Sequence, residues 1–181
     1  MKPHGRFGGS ITRPAFQAAR GLYVRFGPAI VIWSITGNKN IGRFLFGWDA
    51  KVWELSRLWA PDGHERNLLT LAIAAAVRII KQIERPVALV SYADPNAGHH
   101  GGVYRAASWH YDGQSKETRA YRDRAGNIVA RRKFHSGSRG LRKAEIEALG
   151  FIELRLPGKH RFVRPLTSQA KRALKLRQKS S

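Results

Sequence analysis

No cysteine occurs in the 181 residues. That excludes disulfides, thiolate metal sites and a cysteine nucleophile. Carboxylates are scarce: 12 Asp+Glu stand against 33 Lys+Arg, a formal net charge of +21. None precedes Asp49 and none follows Glu153. Long apolar runs are also missing. The longest, residues 28–35 and 71–77, fall far short of the roughly 18–20 residues that span a bilayer. Behind Met1-Lys2-Pro3-His4-Gly5-Arg6 there is no apolar stretch, so a secretory signal is not expected. What is present is 43% hydrophobic content, enough for a core and too much for a chain disordered throughout. The expectation is a soluble, basic protein whose large partner is a polyanion, most simply nucleic acid. Every carboxylate lies between two acid-free basic ends. Phosphate neutralisation predicts steep salt dependence, about −0.9 log units of affinity per contact per log unit of salt.

The chain reads as a mixed α/β fold. Residues 14–20 suggest a short helix. Residues 28–36 (PAIVIWSIT) are β-branched and aromatic and end in Thr-Gly-Asn-Lys-Asn, a strand then a turn, with residues 42–46 as its hairpin partner. Residues 52–59 (VWELSRLW) alternate and form a central strand, with Trp53, Leu55, Arg57 and Trp59 on one face. Residues 66–84 form a long helix, apolar over most of its circumference, and residues 87–92 (VALVSY) a short buried strand. A strand, a buried helix and a strand imply a right-handed crossover between parallel strands. Residues 100–109 read as a second helix. Residues 109–134 read as an extended hairpin with arms 116–122 and 128–133. A short helix over 141–149 ends at Gly150. Residues 151–156 and 160–164 form a last hairpin with Lys159, His160 and Arg161 at its tip. The sheet is therefore mainly antiparallel with one parallel crossover. Residues 1–166 are expected to be one catalytic domain and residues 167–181 a basic tail.

Three segments carry a family resemblance: Val52 to Trp59; Ser91-Tyr92-Ala93-Asp94-Pro95-Asn96-Ala97-Gly98-His99 with Gly102-Val103-Tyr104-Arg105-Ala106-Ala107-Ser108-Trp109; and Pro157-Gly158-Lys159-His160-Arg161-Phe162. In order and spacing they resemble the Mom family of phage DNA-modifying proteins, over roughly residues 30–166. The resemblance implies a fold like that of the GCN5-related N-acetyltransferases. It also implies an enzyme that converts adenine N6 in DNA to a carbamoylmethyl derivative, protecting phage DNA from restriction in the cytoplasm of the infected host. Acetyl-CoA or a related acyl donor is the implied cofactor. Leu58 and Trp59 would pair with its pantetheine arm, and the turn with Gly63, His64, Arg66 and Asn67 would receive its pyrophosphate at a helix N-terminus.

The same resemblance implies that Tyr104 protonates a departing thiolate, since a phenol stays protonated at neutral pH and can still give up its proton. Ser108, four residues on, would share its helical face. Asp94 would accept a proton from, or orient, the N6 amine, against the reading of an Asx turn at Asp-Pro. Tyr92 would stack on the base. Arg57 is a further site candidate because it would otherwise be an unpaired charge on an apolar face. Asp94, His99 and His100 are suitable metal ligands, and a metal such as iron is left open, but no spacing motif supports one. Reaching N6 in a duplex requires the base to leave the stack. Lys116, Arg119, Arg122, Arg131, Arg132, Lys133, Lys159, His160 and Arg161 are the candidate phosphate contacts. Two other readings stay open. One is an acyl-CoA-dependent N-acetyltransferase acting on another modified base, RNA or a protein amine. The other is a nucleic-acid-binding protein without a cofactor site, motivated by Glu65-Arg66-Asn67 standing where the acetyltransferase turn has small residues.

Overall fold

The computed structural model describes residues 21–134 and 140–179, so the helix expected over 14–20 lies outside the described residues. The chain divides into two compact units. The larger comprises the chain up to Ala93, Gly101–Gly113 and the chain from Arg161 onward; the smaller comprises Asp94–His100 and Gln114–His160.

The larger unit is built on a six-stranded sheet of order β1-β2-β3-β4-β9-β5. Its strands are β1 (Gly21–Phe26), β2 (Ala29–Ile35), β3 (Val52–Trp59), β4 (Ala88–Ala93), β5 (His110–Gln114) and β9 (His160–Pro165). β1 pairs antiparallel with β2 through the turn at Gly27 (φ 55°), and β2 pairs antiparallel with β3. β3 and β4 pair parallel from Val52↔Ala88 to Leu55↔Ser91. The helix that joins them, α2 (Leu68–Ile83), makes this the expected crossover. The mixed, mainly antiparallel α/β class holds.

Alternation along the strands builds a core on each face. Trp53, Leu55 and Leu89 join Ala72, Ile73, Ala76, Val77 and Ile80 of α2, together with Tyr104, Trp109 and Phe162. On the other face Val52, Ala88, Val90 and Val163 pack with α1 (Ile41–Phe46) and α5 (Ser168–Lys179). α2 is more one-sided than its composition suggests: Leu71 and Ile83 are more than half exposed.

Several sequence expectations are corrected. Residues 42–46 are the helix α1 rather than a hairpin partner: Ile41, Gly42, Leu45 and Phe46 bury at helical spacing, and Gly42 lies so close to Ala50 that a Cβ would come within 2.5 Å of its carbonyl oxygen. The hairpin partner of β2 is β1, whose mixed composition hid it. The helix expected over 100–109 shortens to α3 (Gly102–Ala106). Residues 160–165 do not pair back on 151–156: β8 (Ile152–Leu156) and β9 belong to different sheets. Within residues 167–181, expected to be a basic tail, Ser168–Lys179 is helical and buries Ala170 and Leu174.

The smaller unit has a three-stranded antiparallel sheet, order β7-β6-β8, with β6 (Thr118–Arg122) central and β7 (Ile128–Ala130) at one edge. The hairpin expected over 109–134 is thus shorter, since His110–Gln114 joins the larger sheet and Arg131–Phe134 coils into a 3₁₀ turn. Tyr121, Phe134 and Phe151 meet edge to face, beside the buried Ile146 of α4 (Lys143–Ala148).

Candidate functional site

The larger unit holds the most buried titratable group that sequence reasoning selected. Tyr104 sits on α3, 8% exposed, with ring centroids 5.6 Å from Trp109 and 5.2 Å from Phe162. The close approach of Phe162 requires Gly101, the residue before α3. Gly101 adopts φ 74°, and a Cβ there would fall 2.1 Å from the Phe162 ring. Burial raises the Tyr104 pKa above its ordinary value, and the negative charge of Glu54 adds to this. The Ser91 hydroxyl, a hydrogen-bond partner of the phenol, works the other way; it also donates to the Leu55 carbonyl at 2.9 Å. Ser91 is fully buried. It was missed as a functional candidate, although a serine within the otherwise apolar VALV-S-Y strand was a visible signal. The net result is a phenol held protonated in an aromatic wall.

Tyr92 follows Ser91 on β4 and so takes the opposite face, packing with the second core. The structure therefore does not bring Tyr92 and Tyr104 together. Burial raises the Tyr92 pKa, opposed by Arg161, which is both a nearby charge and a hydrogen-bond partner. Arg161 is not at a hairpin tip. It is 9% exposed, and its Nε donates to Asp112 Oδ2 at 2.6 Å. Arg177 of α5 donates to the other oxygen of Asp112, and both guanidiniums lie over the Phe44 ring, at 4.6 and 4.4 Å. Asp112 was missed because a single acid among basic residues shows nothing of its partners until the sheet forms.

Arg57 is exposed rather than trapped on an apolar face. A bulge skips Ser56 in the pairing with β2, so Leu58, not Arg57, follows Trp53 and Leu55 onto the first core. Ser108 is not on Tyr104's helical face: α3 has ended, and Ser108 sits at φ 61°. The turn before α2 is exposed. Gly63 (φ 73°) and Asn67 (φ 69°) are left-handed, His64 Nδ1 contacts the Glu65 carbonyl, and Arg66 is solvent-facing. The α2 N-terminus has no side-chain cap and no acid in its first turn, so its backbone donors suit an anion. Leu58 and Trp59 are half-buried on β3, beyond the last residue paired with β4.

In the smaller unit Asp94 follows β4 directly. Its carboxylate accepts from the Asn96 backbone N–H and Nδ2, both at 3.0 Å, and meets Lys159 Nζ at 3.1 Å. The Asx-turn reading is thus realised alongside an ion pair. Partial burial pushes the Asp94 pKa up, but the hydrogen bonds from Lys159 and Asn96 outweigh it and leave the pKa below its ordinary value. The rings of His100 and His160 are 6.3 Å apart. Among the described residues no three His, Cys, Asp or Glu side chains cluster as a metal site. Lys116, Arg122, Arg131, Arg132 and Lys133 are exposed, and Arg119 is held 3.5 Å from Glu153. No helix among the described residues is long and apolar enough to cross a membrane.

The methylcarbamoylase mom of Escherichia phage Mu is 32% identical over 92 residues, a match covering 49% of this chain and 38% of that protein. The chain therefore spans well under two thirds of that relative's length. The profile of the Mom protein family matches residues 30–181, which takes in β3, Asp94, α3 and the buried Arg161–Asp112 pair. On that match, over most of its length, the chain belongs to the Mom protein family.

Proposed function

We propose that this protein modifies the N6 amino group of adenine in phage DNA, adding a carbamoylmethyl group, in the cytoplasm of the infected bacterium. The observation that carries the reading is the family match across the segment that holds Asp94 and Tyr104. Substitution at N6 forms one N–C bond, breaks the bond from the donor's methylene carbon to its leaving group, which departs with the electron pair, and releases one N6 proton. Asp94, ionised at neutral pH, is a suitable acceptor or orienting partner for that proton. Tyr104, kept protonated by burial, is a suitable donor to a leaving group. The excess of cations supports a DNA substrate.

The uncapped α2 N-terminus, preceded by the exposed turn with Gly63 and Asn67, is compatible with an acyl-CoA pyrophosphate. When bound, such a cofactor would supply an activated acyl group, and transfer of that group to an amine forms an amide. This feature therefore favours the second reading, acetyl transfer to a different amine. Mass spectrometry of nucleosides from DNA of cells that make the protein tests both. The expected result is an adenine nucleoside of increased mass, lost in Asp94→Ala and Tyr104→Phe. Unaltered adenine together with acetyl transfer to another amine overturns the first reading in favour of the second.

A further inference from the structure

One cavity of the larger unit has no part in the site above. It measures about 490 Å³ and lies where α2 and α5 converge on the end of β9. Arg78 and Lys81 of α2, Arg164 of β9, and Lys171 and Lys175 of α5 line it, with Ser108 beside them. Among the described residues no carboxylate lines it.

Five cations around one concavity repel each other, and two features hold them there. Leu174, on the same face of α5 as Lys171 and Lys175, is 1% exposed and anchors the helix through the second core. Arg164 is half-buried and donates to the Ala107 carbonyl at 3.0 Å, the residue before the left-handed Ser108. Burial lowers the Arg164 pKa, and no acid offsets that cost. A guanidinium partly desolvated against a neutral carbonyl still presents N–H donors for an anion. The charges also fall in rows. Lys171 and Lys175 are one helical turn apart, about 6 Å along the axis, and Arg78 and Lys81 form a similar step on the facing wall. Two rows fit an anion with charges repeated along its length better than a single compact one.

We propose that this cleft holds successive phosphates of a nucleic-acid backbone. The assignment rests on the DNA-modification reading and deepens it, placing principal phosphate contacts in a cleft outside the β6–β7 arm that the sequence suggested. The shared chemistry is closely spaced phosphate, so a free polyphosphate must be separated from a strand.

The test uses the full chain and a fluorescein-labelled DNA duplex, titrated by anisotropy across a KCl series. The variant K81Q/K171Q/K175Q removes three exposed lysines from the cleft; R25Q/K39Q/R85Q removes three exposed cations elsewhere in the same unit. Circular dichroism melts confirm that both fold. The cleft variant is expected to flatten the log–log salt slope by about 2–3, at ~0.9 per phosphate contact. The control is expected to change it by less than about 1. Equal effects of the two variants overturn the proposal, because net charge alone then explains binding. Loss of tripolyphosphate binding with duplex binding intact also overturns it, in favour of a free polyphosphate. So does displacement of the duplex by polyglutamate as readily as by unlabelled DNA. Adenine modification is read on the same samples. Wild-type modification with unchanged duplex binding by the cleft variant sinks the cleft alone. Cleft-dependent binding without any modified adenine sinks the enzymatic reading alone.

Discussion

In the larger unit the Asp112 carboxylate is 4% exposed and is shared by Arg161 and Arg177, themselves stacked over Phe44. In the smaller unit Glu153 is shared by Arg119 and Lys143, both more than half exposed. Each arrangement is one acid between two cations, yet the physics differs. Removing one partner of a buried set strands a charge, whereas the cations around Glu153, itself 15% exposed, are screened by water and salt. The same contrast separates the two reactive candidates. Tyr104 owes its shifted pKa chiefly to burial, while hydrogen bonds and Lys159 set the direction at Asp94. Buried geometry sets the first group, and a movable surface partner sets the second.

The largest effect that would sharpen this contrast is catalytic. Tyr104→Phe keeps the packing against Trp109 and Phe162 and removes the phenolic hydroxyl, with its proton and its hydrogen bond to Ser91. Modification is expected to fall by about 10²–10⁴-fold with the melting temperature nearly unchanged. Wild-type rates in this variant, read by nucleoside mass spectrometry, would leave Tyr104 a packing residue.

Asp112→Ala should be the most costly for stability, by about 3–5 kcal/mol, since Arg161 remains buried without its acid. Glu153→Ala should give no resolvable change. Urea titration of both variants breaks the comparison if the two losses are equal.

Gly101→Ala ranks next. A Cβ at φ 74° that also meets the Phe162 ring should cost about 1–3 kcal/mol and displace the aromatic wall around Tyr104. Near-UV circular dichroism reports that displacement.

The smallest effect concerns pH. The folded-state pKa of Asp94 is depressed, so its contribution to stability is present above the unfolded-state pKa. It is lost as pH falls through the lower folded value. Lys159→Gln should move the Asp94 pKa upward, which carries the acid limb of the activity profile to higher pH. An acid limb that stays in place would show that Lys159 does not hold Asp94.

Much of the fold was legible because strong periodicity survives tertiary contact. The strand 52–59, the long helix and the strand 87–92 each lie within a few residues of the expected bounds. Misreadings cluster where one packing contact outweighed local pattern. Burial of Ile41, Gly42, Leu45 and Phe46 on one face went with a helix at 42–46, and skipping Ser56 turned Arg57 outward. Ser108 was assigned to Tyr104's face on helical spacing, which fails once the helix ends at Ala106. The partners of Asp112 come from residues 49 and 65 positions away, beyond any local pattern.

By itself the sequence determined the charge excess, the absence of thiol chemistry, the crossover and the segments that carry the family likeness. Those follow from composition and from short-range periodicity, which need no knowledge of neighbours. Only the tertiary structure decided which charges are buried and which are free. It put Ser91 beside Tyr104 and Tyr92 on the opposite face. It set Arg161 on Asp112, and gathered cations from α2, β9 and α5 around one acid-free cleft. Burial and pairing are properties of surfaces brought together across the chain, so a linear reading could name these residues but not their states.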